Sequence, residues 1–394
     1  MKVEDLPWYS PMMFLVGAIL SFADPITDTL TLVEFYRADH DTWFYVGLVF
    51  VLLPCFIYPY IYLVSRDELE QYSVCRKVSQ TVFCGFHPFS VAFARLEAFF
   101  YFLKKWCCSF LKKWCCSFLK KWCCGSEIGN ELSDGLLKNI EYAALIEVIF
   151  ESAPQFILQL YAMSVQEEPV KDIQIISLPI SVLSLSWAFT NFDQLSLKEN
   201  FNLNLSLKDK LALFVTHLIL LSSRLFAVVW FSFSYKAWIA AAFLLHAFVF
   251  ATAENIAYCL LADEAEGEFD TCHECTWNPF TCAAAGLMYW IRDDFLLLDE
   301  SNFDLAIRKT AFLRMHLFCN VMFVLGNVVM ILLFYFGQQS HTWYTFPATI
   351  CVCSFSFLGS VMRVTLYRVF LKRESDDTVN TEQNDNSSQF DTAL

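Results

Sequence analysis

The amino-acid sequence predicts an all-α polytopic membrane protein: about eight transmembrane helices plus two re-entrant or partial ones, in two pseudo-repeats. Three observations predict it. The chain of 394 residues is 57% hydrophobic and 17% charged, with 41 Phe and a mean hydropathy of +0.45. Soluble domains carry about 25% charged residues. Ten apolar segments then follow one another, many near the roughly 20 residues a bilayer core demands of a helix. Basic residues, finally, collect in two places that fit one side of a membrane.

The segments cover 11–36, 43–64, 83–103, 138–163, 173–190, 211–233, 237–259, 282–298, 311–336 and 343–365. The first follows "MKVEDLPWYSP", which lacks a basic n-region and an obvious small-residue cleavage site, so it is expected to be retained. The third is interrupted by Pro88 and holds Arg95 and Glu97. The eighth breaks at Arg292, Asp293 and Asp294. These two read as the partial segments, because re-entrant backbone is tolerated where protein or a wet cavity covers it. The loop 65–137 carries Arg66, Arg76, Lys77 and six repeat lysines, and the last span ends among Arg363, Arg368, Lys372 and Arg373. Eight crossings from a cytoplasmic N-terminus place both basic clusters in the cytoplasm. The resulting order, two crossings, a partial segment and two crossings, occurs twice, an organisation frequent among transporters. Residues 372–394 are polar and acidic and are expected to be a disordered cytoplasmic tail.

Charges inside the spans are the informative exception. In "IEVIFESAPQFILQLYAM" (146–163), Glu147, Glu151, Gln155 and Gln159 recur every fourth residue beside Pro154. "SFADPITDTL" repeats the device with Asp24 and Asp28 beside Pro25. An i, i+4 pair shares one helical face, so rotation cannot hide one member without the other. Asp193 closes the fifth span, Glu254 lies in the seventh, Arg224 in the sixth and Arg95 in the partial third. Four carboxylates at about 2.5–3.5 kcal/mol each cost on the order of 10 kcal/mol in lipid. They must face protein, water or a polar substrate, or be protonated. One reading pairs Glu147 and Glu151 with Arg224 and Arg95 as structural pins. A pathway for polar groups accounts better for the excess of acids and for the amides that extend the stripe.

The remaining motifs carry less. A net charge of −14 argues against nucleic-acid binding. Of the 16 cysteines six lie in the octapeptide repeat, and most of the others sit in apolar runs and act as small apolar residues. The octapeptide repeat "FLKKWCCSFLKKWCCSFLKKWCC" (102–124) fits a tandem duplication without specific role, a membrane-surface element with Lys on anionic lipid and acylated Cys, or, least well, a metal or redox site. Cys272, Cys275 and Cys282 in "TCHECTWNPFTC" stay unassigned between metal and disulfide. Thr392-Ala393-Leu394 has the C-terminal form that PDZ-type partners take by strand addition.

"IEVIFESAPQFILQLY", with its Glu151-to-Gln155 core, resembles the signature helix of the XK-related family. "DPITDTLTLVEFYRADHDTWFYVGLVFVLLP" is similar to that family's first two spans, and "SWAFTNFDQ" (186–194) to the segment after the signature helix. The resemblance covers about residues 10 to 370 and makes 1–371 the XK-related transmembrane domain. It implies eight spans, two partial segments and two related halves. Several family members are plasma-membrane phospholipid scramblases that expose phosphatidylserine without ATP after caspases cut a terminal tail; others are known mainly as partners of other membrane proteins. Carried over, Asp24, Asp28, Glu147, Glu151 and Gln155 would line the lipid headgroup path, with Asp193, Arg95 and Arg224 matched more loosely. No bond is broken on such a path, so no catalytic residue, metal or cofactor is expected and the protein is not an enzyme. For the caspase, "ESDD" ending at Asp377 is the tail's best fit to D-x-x-D, and a weak one. Two other classes stay open: a non-transporting scaffold or partner subunit, and an ion or small-solute transporter.

Overall fold

Backbone polar groups have no water to bond in lipid, so an apolar chain must satisfy them within helices or closed barrels. This chain uses helices. The computed structural model describes residues 9–64, 134–236, 305–337 and 345–391, with parts of 89–103 and 238–252 and Trp343, and contains no strand among them. In chain order these are α1 (Ser10–Arg37), α2 (Asp41–Val64), α3 (Asp134–Glu147), a π-helical turn (Val148–Ser152), α4 (Ala153–Val165), α5 (Asp172–Phe201), α6 (Leu207–Tyr235), α7 (Leu305–Gly337) and α8 (Thr345–Asp391).

Among the described residues, six helical stretches are long and apolar enough to cross a membrane: Ser10–Arg37, Ile140–Val165, Asp172–Phe201, Leu207–Tyr235, Phe312–Gly337 and Thr345–Arg373. The second runs unbroken through α3, the π turn and α4. In α2 the shorter stretch Asp41–Pro54 is apolar. Among the described residues the number is thus six, and the expected count of eight rests in part on segments outside them. The seventh and eighth apolar segments, Glu254, the repeat beyond residue 103 and the 272–282 cysteines lie wholly or partly outside the described residues.

The chain divides into two compact units, Met1–Leu195 and Ser196–Leu394. The division falls just after the fifth apolar segment, where the hydropathy pattern puts the join between halves. In the first unit α1 turns into α2 through Asp39, whose φ of 58° is the left-handed conformation that Asp accepts more readily than most residues. The His40 amide closes the turn on the Phe35 carbonyl at 2.9 Å. Leu32, Phe35, Val51 and Ala162 form a small apolar core there, packed by Trp43, Phe44 and Leu48. In the second unit α6, α7 and α8 pack against one another. Asn202, with φ 52°, ends α5 in the left-handed conformation common just past helix ends. Ser206 then starts α6 with a reciprocal capping box to Asp209. Beside this turn Leu197, Phe201, Leu213, Phe312, Tyr367 and Phe370 share one core.

α8 runs on to Asp391, across the segment expected to be a disordered tail. Its composition gives no packing reason for this, but extending an existing helix avoids the unfavourable nucleation step. Asp377 therefore lies on helical backbone.

Candidate polar site within the membrane

The signature helix is not a uniform α-helix. Its residues 148–152 form a π turn, in which the Ala153 amide bonds to the Val148 carbonyl, five residues back. Pro154 follows at once and supplies no N–H, so a helix changes register here at little cost. The wider turn bears on the polar stripe. In an α-helix each four-residue step overshoots a full turn by about 40°. A π turn winds less per residue and takes back part of that drift between Glu147 and the two glutamines. Glu147, Glu151, Gln155 and Gln159 are all buried, at most 3% exposed.

Facing this helix, α1 presents Asp24 and Asp28, also buried. Asp24 accepts hydrogen bonds from Ser152 Oγ and, at 2.6 Å, from Ser181 Oγ. Asp28 Oδ1 accepts from Ser177 Oγ at 2.8 Å and Gln159 Nε2 at 2.9 Å. Ser177, Ser181 and Ser184 of α5 lie four and three residues apart, one hydroxyl-bearing face turned to α1. The backbone of α1 joins in: Thr27 Oγ1 bonds to the Asp24 carbonyl and Thr31 Oγ1 to that of Thr27. Gln155 donates to the Gly47 carbonyl of α2 at 2.6 Å. A Cβ at 47 would collide with the end of the Leu32 side chain and sit 3.2 Å from Gln155 Oε1, so a larger residue there must displace its neighbours.

Arg95 answers the pin hypothesis. Its guanidinium forms an ion pair with Glu141 at 2.8 Å and bonds to Ser21 Oγ at 2.9 Å and the Gly17 carbonyl at 3.3 Å. Glu141 lies six residues before Glu147, and Arg95 takes it as its ion-pair partner rather than Glu147 or Glu151. A Cβ on Gly17 would lie 3.1 Å from the Arg95 side chain and 2.9 Å from Trp187 Nε1, so this glycine admits the arginine. Glu147 keeps electrostatic contact with both Arg95 and Asp24, and its Oε2 has no hydrogen bond.

Seven of the eight expected site residues, Asp24, Asp28, Arg95, Glu147, Glu151, Gln155 and Asp193, thus belong to the first unit and are buried there. Arg224 belongs to the second. It donates to Asn327 Oδ1 at 2.9 Å and lies over the Phe323 ring at 5.3 Å. Asn327 in turn donates to Ser356 at 3.1 Å, and Asn320 bonds to Ser360 at 2.9 Å. Sequence reasoning missed the serines, Glu141 and the two glycines. The periodic Ser177, Ser181 and Ser184 in "SLPISVLSLSW" were the available signal.

A family model described as XK-related protein matches residues 12–372. The chain belongs to the XK-related family. Among curated proteins none matches it. The match spans both units of this XK-related chain, from the first turn of α1 to the end of the apolar part of α8. Family membership and the membrane-length helices together make it a multi-pass membrane protein.

Proposed function

We propose that this XK-related protein is a plasma-membrane phospholipid scramblase, not an enzyme, moving phosphatidylserine and other phospholipids between leaflets without ATP. The observation that carries the reading is the Asp24–Asp28 pair. Both carboxylates are buried within a helix of membrane-spanning length, and their hydrogen bonds come from neutral hydroxyl and amide donors. Such donors can rotate toward a passing headgroup and back. An ion pair would hold the acids more tightly and leave less to exchange. A headgroup would step along acids and hydroxyls while its acyl chains stay in lipid, so no bond is made or broken and no cofactor takes part. Cleavage after Asp377 by a caspase is the activation step this reading includes.

The test is reconstitution in proteoliposomes with a fluorescent phospholipid, read by chemical quenching of the outer leaflet, on intact protein and on protein cut after Asp377. Accelerated flip is expected in the cut form at least. Asp24→Asn with Asp28→Asn should slow it by about tenfold or more, equivalent to about 1.4 kcal/mol of barrier. Flip no faster than in protein-free liposomes, in both forms, would overturn the reading. So would a double variant that flips lipid as fast as the parent.

A further inference from the structure

One corner of this polar cluster is built for more than mutual satisfaction. Asp28 Oδ1 is doubly bonded, to Ser177 and Gln159, whereas Asp28 Oδ2 has no hydrogen bond. Gln159 spends its amide nitrogen on Asp28, and its Oε1 likewise has none. Both side chains are 0% exposed. Two buried oxygens without donors, on side chains joined through their other atoms, are costly, because the desolvation of each goes uncompensated. Asp24 stands one helical turn away within electrostatic reach, and Ser181, on its Oδ1, also lies against Asp28. Among the described residues neither aspartate forms an ion pair, since Arg95 is committed to Glu141.

What such a corner lacks is positive charge with no need of a donor hydrogen. A protein cation would serve, but the described residues place none here. Hard cations select oxygen ligands: carboxylate, amide carbonyl and hydroxyl. Asp28 Oδ2, Gln159 Oε1 and the Ser177 and Ser181 hydroxyls supply one charged and three neutral oxygens from three helices. Among the described residues no group of three His, Cys, Asp or Glu comes together in metal-binding fashion. That argues against a divalent site, whereas a single positive charge matches a set dominated by neutral oxygens. We infer that Asp28, Gln159, Ser177 and Ser181 form a binding site for a small monovalent cation, sodium first, with Asp24 contributing its field from the next turn.

Occupancy would also knit α1, α4 and α5 together, because each contributes a ligand. The inference does not depend on lipid scrambling, and its readouts are binding and unfolding, so the two can fail separately. Full-length protein in nanodiscs would be titrated with radioactive sodium, and its thermal unfolding followed in sodium, lithium, potassium, calcium and N-methylglucamine chlorides at constant ionic strength. Saturable sodium binding is expected. Tm should rise by roughly 2 °C when sodium reaches about ten times its half-saturating level. Asp28→Asn and Gln159→Leu should each weaken binding at least tenfold. If Asp28→Asn fails to fold, Gln159→Leu, which keeps the carboxylate, decides by the same binding assay. Absence of saturable binding to the parent protein would overturn the inference. So would an equal Tm rise with every salt, calcium displacing sodium as the tighter ligand, or sodium binding unchanged in Gln159→Leu.

Discussion

The two units keep polar groups in the membrane by opposite means. In the first, the buried ionisable residues among those described are mostly acids: Asp24, Asp28, Glu147, Glu151 and Asp193, against Arg95. In the second they are bases, Lys210, Arg224 and Arg363, with His217 and His316, and no buried carboxylate is described. The first unit surrounds its acids with serine and glutamine donors. The second sets an arginine on an asparagine oxygen and an aromatic face, and Arg363 likewise lies over Tyr367 at 6.0 Å. Hydroxyls satisfy carboxylates well because they donate, while amide oxygens and ring faces suit guanidinium because they accept or attract. Among the described residues the two units therefore carry chemically complementary interiors, and what each tolerates should differ.

The largest expected effect breaks the one buried ion pair described in the first unit. Arg95→Leu strands Glu141 in a nearly closed site and should destabilise the protein by about 3–5 kcal/mol. Arg95→Leu with Glu141→Leu should recover most of that, as replacing both members of a buried pair often is neutral. In the second unit Arg224→Leu takes the guanidinium from Asn327 and from the Phe323 ring and should cost about 1–3 kcal/mol through these contacts. Thermal unfolding in detergent ranks the three. An Arg224→Leu defect as deep as that of Arg95→Leu would erase the distinction between the units.

Next come the glycines. Gly47→Ala forces a methyl into Leu32 and Gln155 and should cost about 1–3 kcal/mol. At Gly326 a Cβ would come no nearer than 3.3 Å, to the terminal nitrogen of Arg224, a flexible group that can yield. Gly326→Ala should therefore stay within about 1 kcal/mol of neutral, helped by alanine's better helix propensity. Ser181→Ala, which takes a hydroxyl from Asp24, should cost about 1–3 kcal/mol. Matched Tm measurements on these variants show whether the first unit is the less tolerant of the two.

The smallest effects lie at the surface. Arg373→Ala loses a half-exposed pair with Asp209 and should change stability by no more than about 0.5 kcal/mol. In the first unit His40 and Glu168 meet at 3.2 Å, joining the α1–α2 turn to the α4–α5 loop. A backbone hydrogen bond, and then His40, hold the Glu168 carboxyl below its ordinary value. A depressed acid contributes above its unfolded pKa and loses that contribution as pH falls through the folded one. Glu168→Gln should therefore flatten a shallow acid-side decline in Tm without altering the plateau above it.

Much of this was written in the sequence. Apolar length announced the spans, and an i, i+4 spacing of acids showed that Asp24, Asp28, Glu147 and Glu151 could not be turned away from one another's side of the helix. Their partners were harder to foresee. Serine in a span costs little and draws no attention, so Ser177 and Ser181 passed for filler in an apolar run. The pairing of Arg95 with Glu141 was hidden for another reason. Residues 46 apart meet only through packing, and Glu141 sits at the edge of the apolar segment, where a carboxylate looks solvated. Arg224 shows the limit of counting charges: an arginine in a span invites a search for an acid, and its bond to the neutral Asn327 was not foreseen.

The π turn at Val148–Ser152 has one more consequence. It works as a phase adjuster, setting the rotational offset between the acids above it and the amides below. Deleting a single residue inside a helix is usually ruinous, because every side chain beyond it swings by about 100°. Here a one-residue deletion could be absorbed by letting the turn relax to α geometry, and the backbone would emerge more regular than before. Gln155 and Gln159 would then keep their bearing relative to Glu147, and the residues within the turn, Glu151 among them, would be re-aimed. A helix that is easier to build would place Glu151 wrongly, so the irregularity is information the fold must keep.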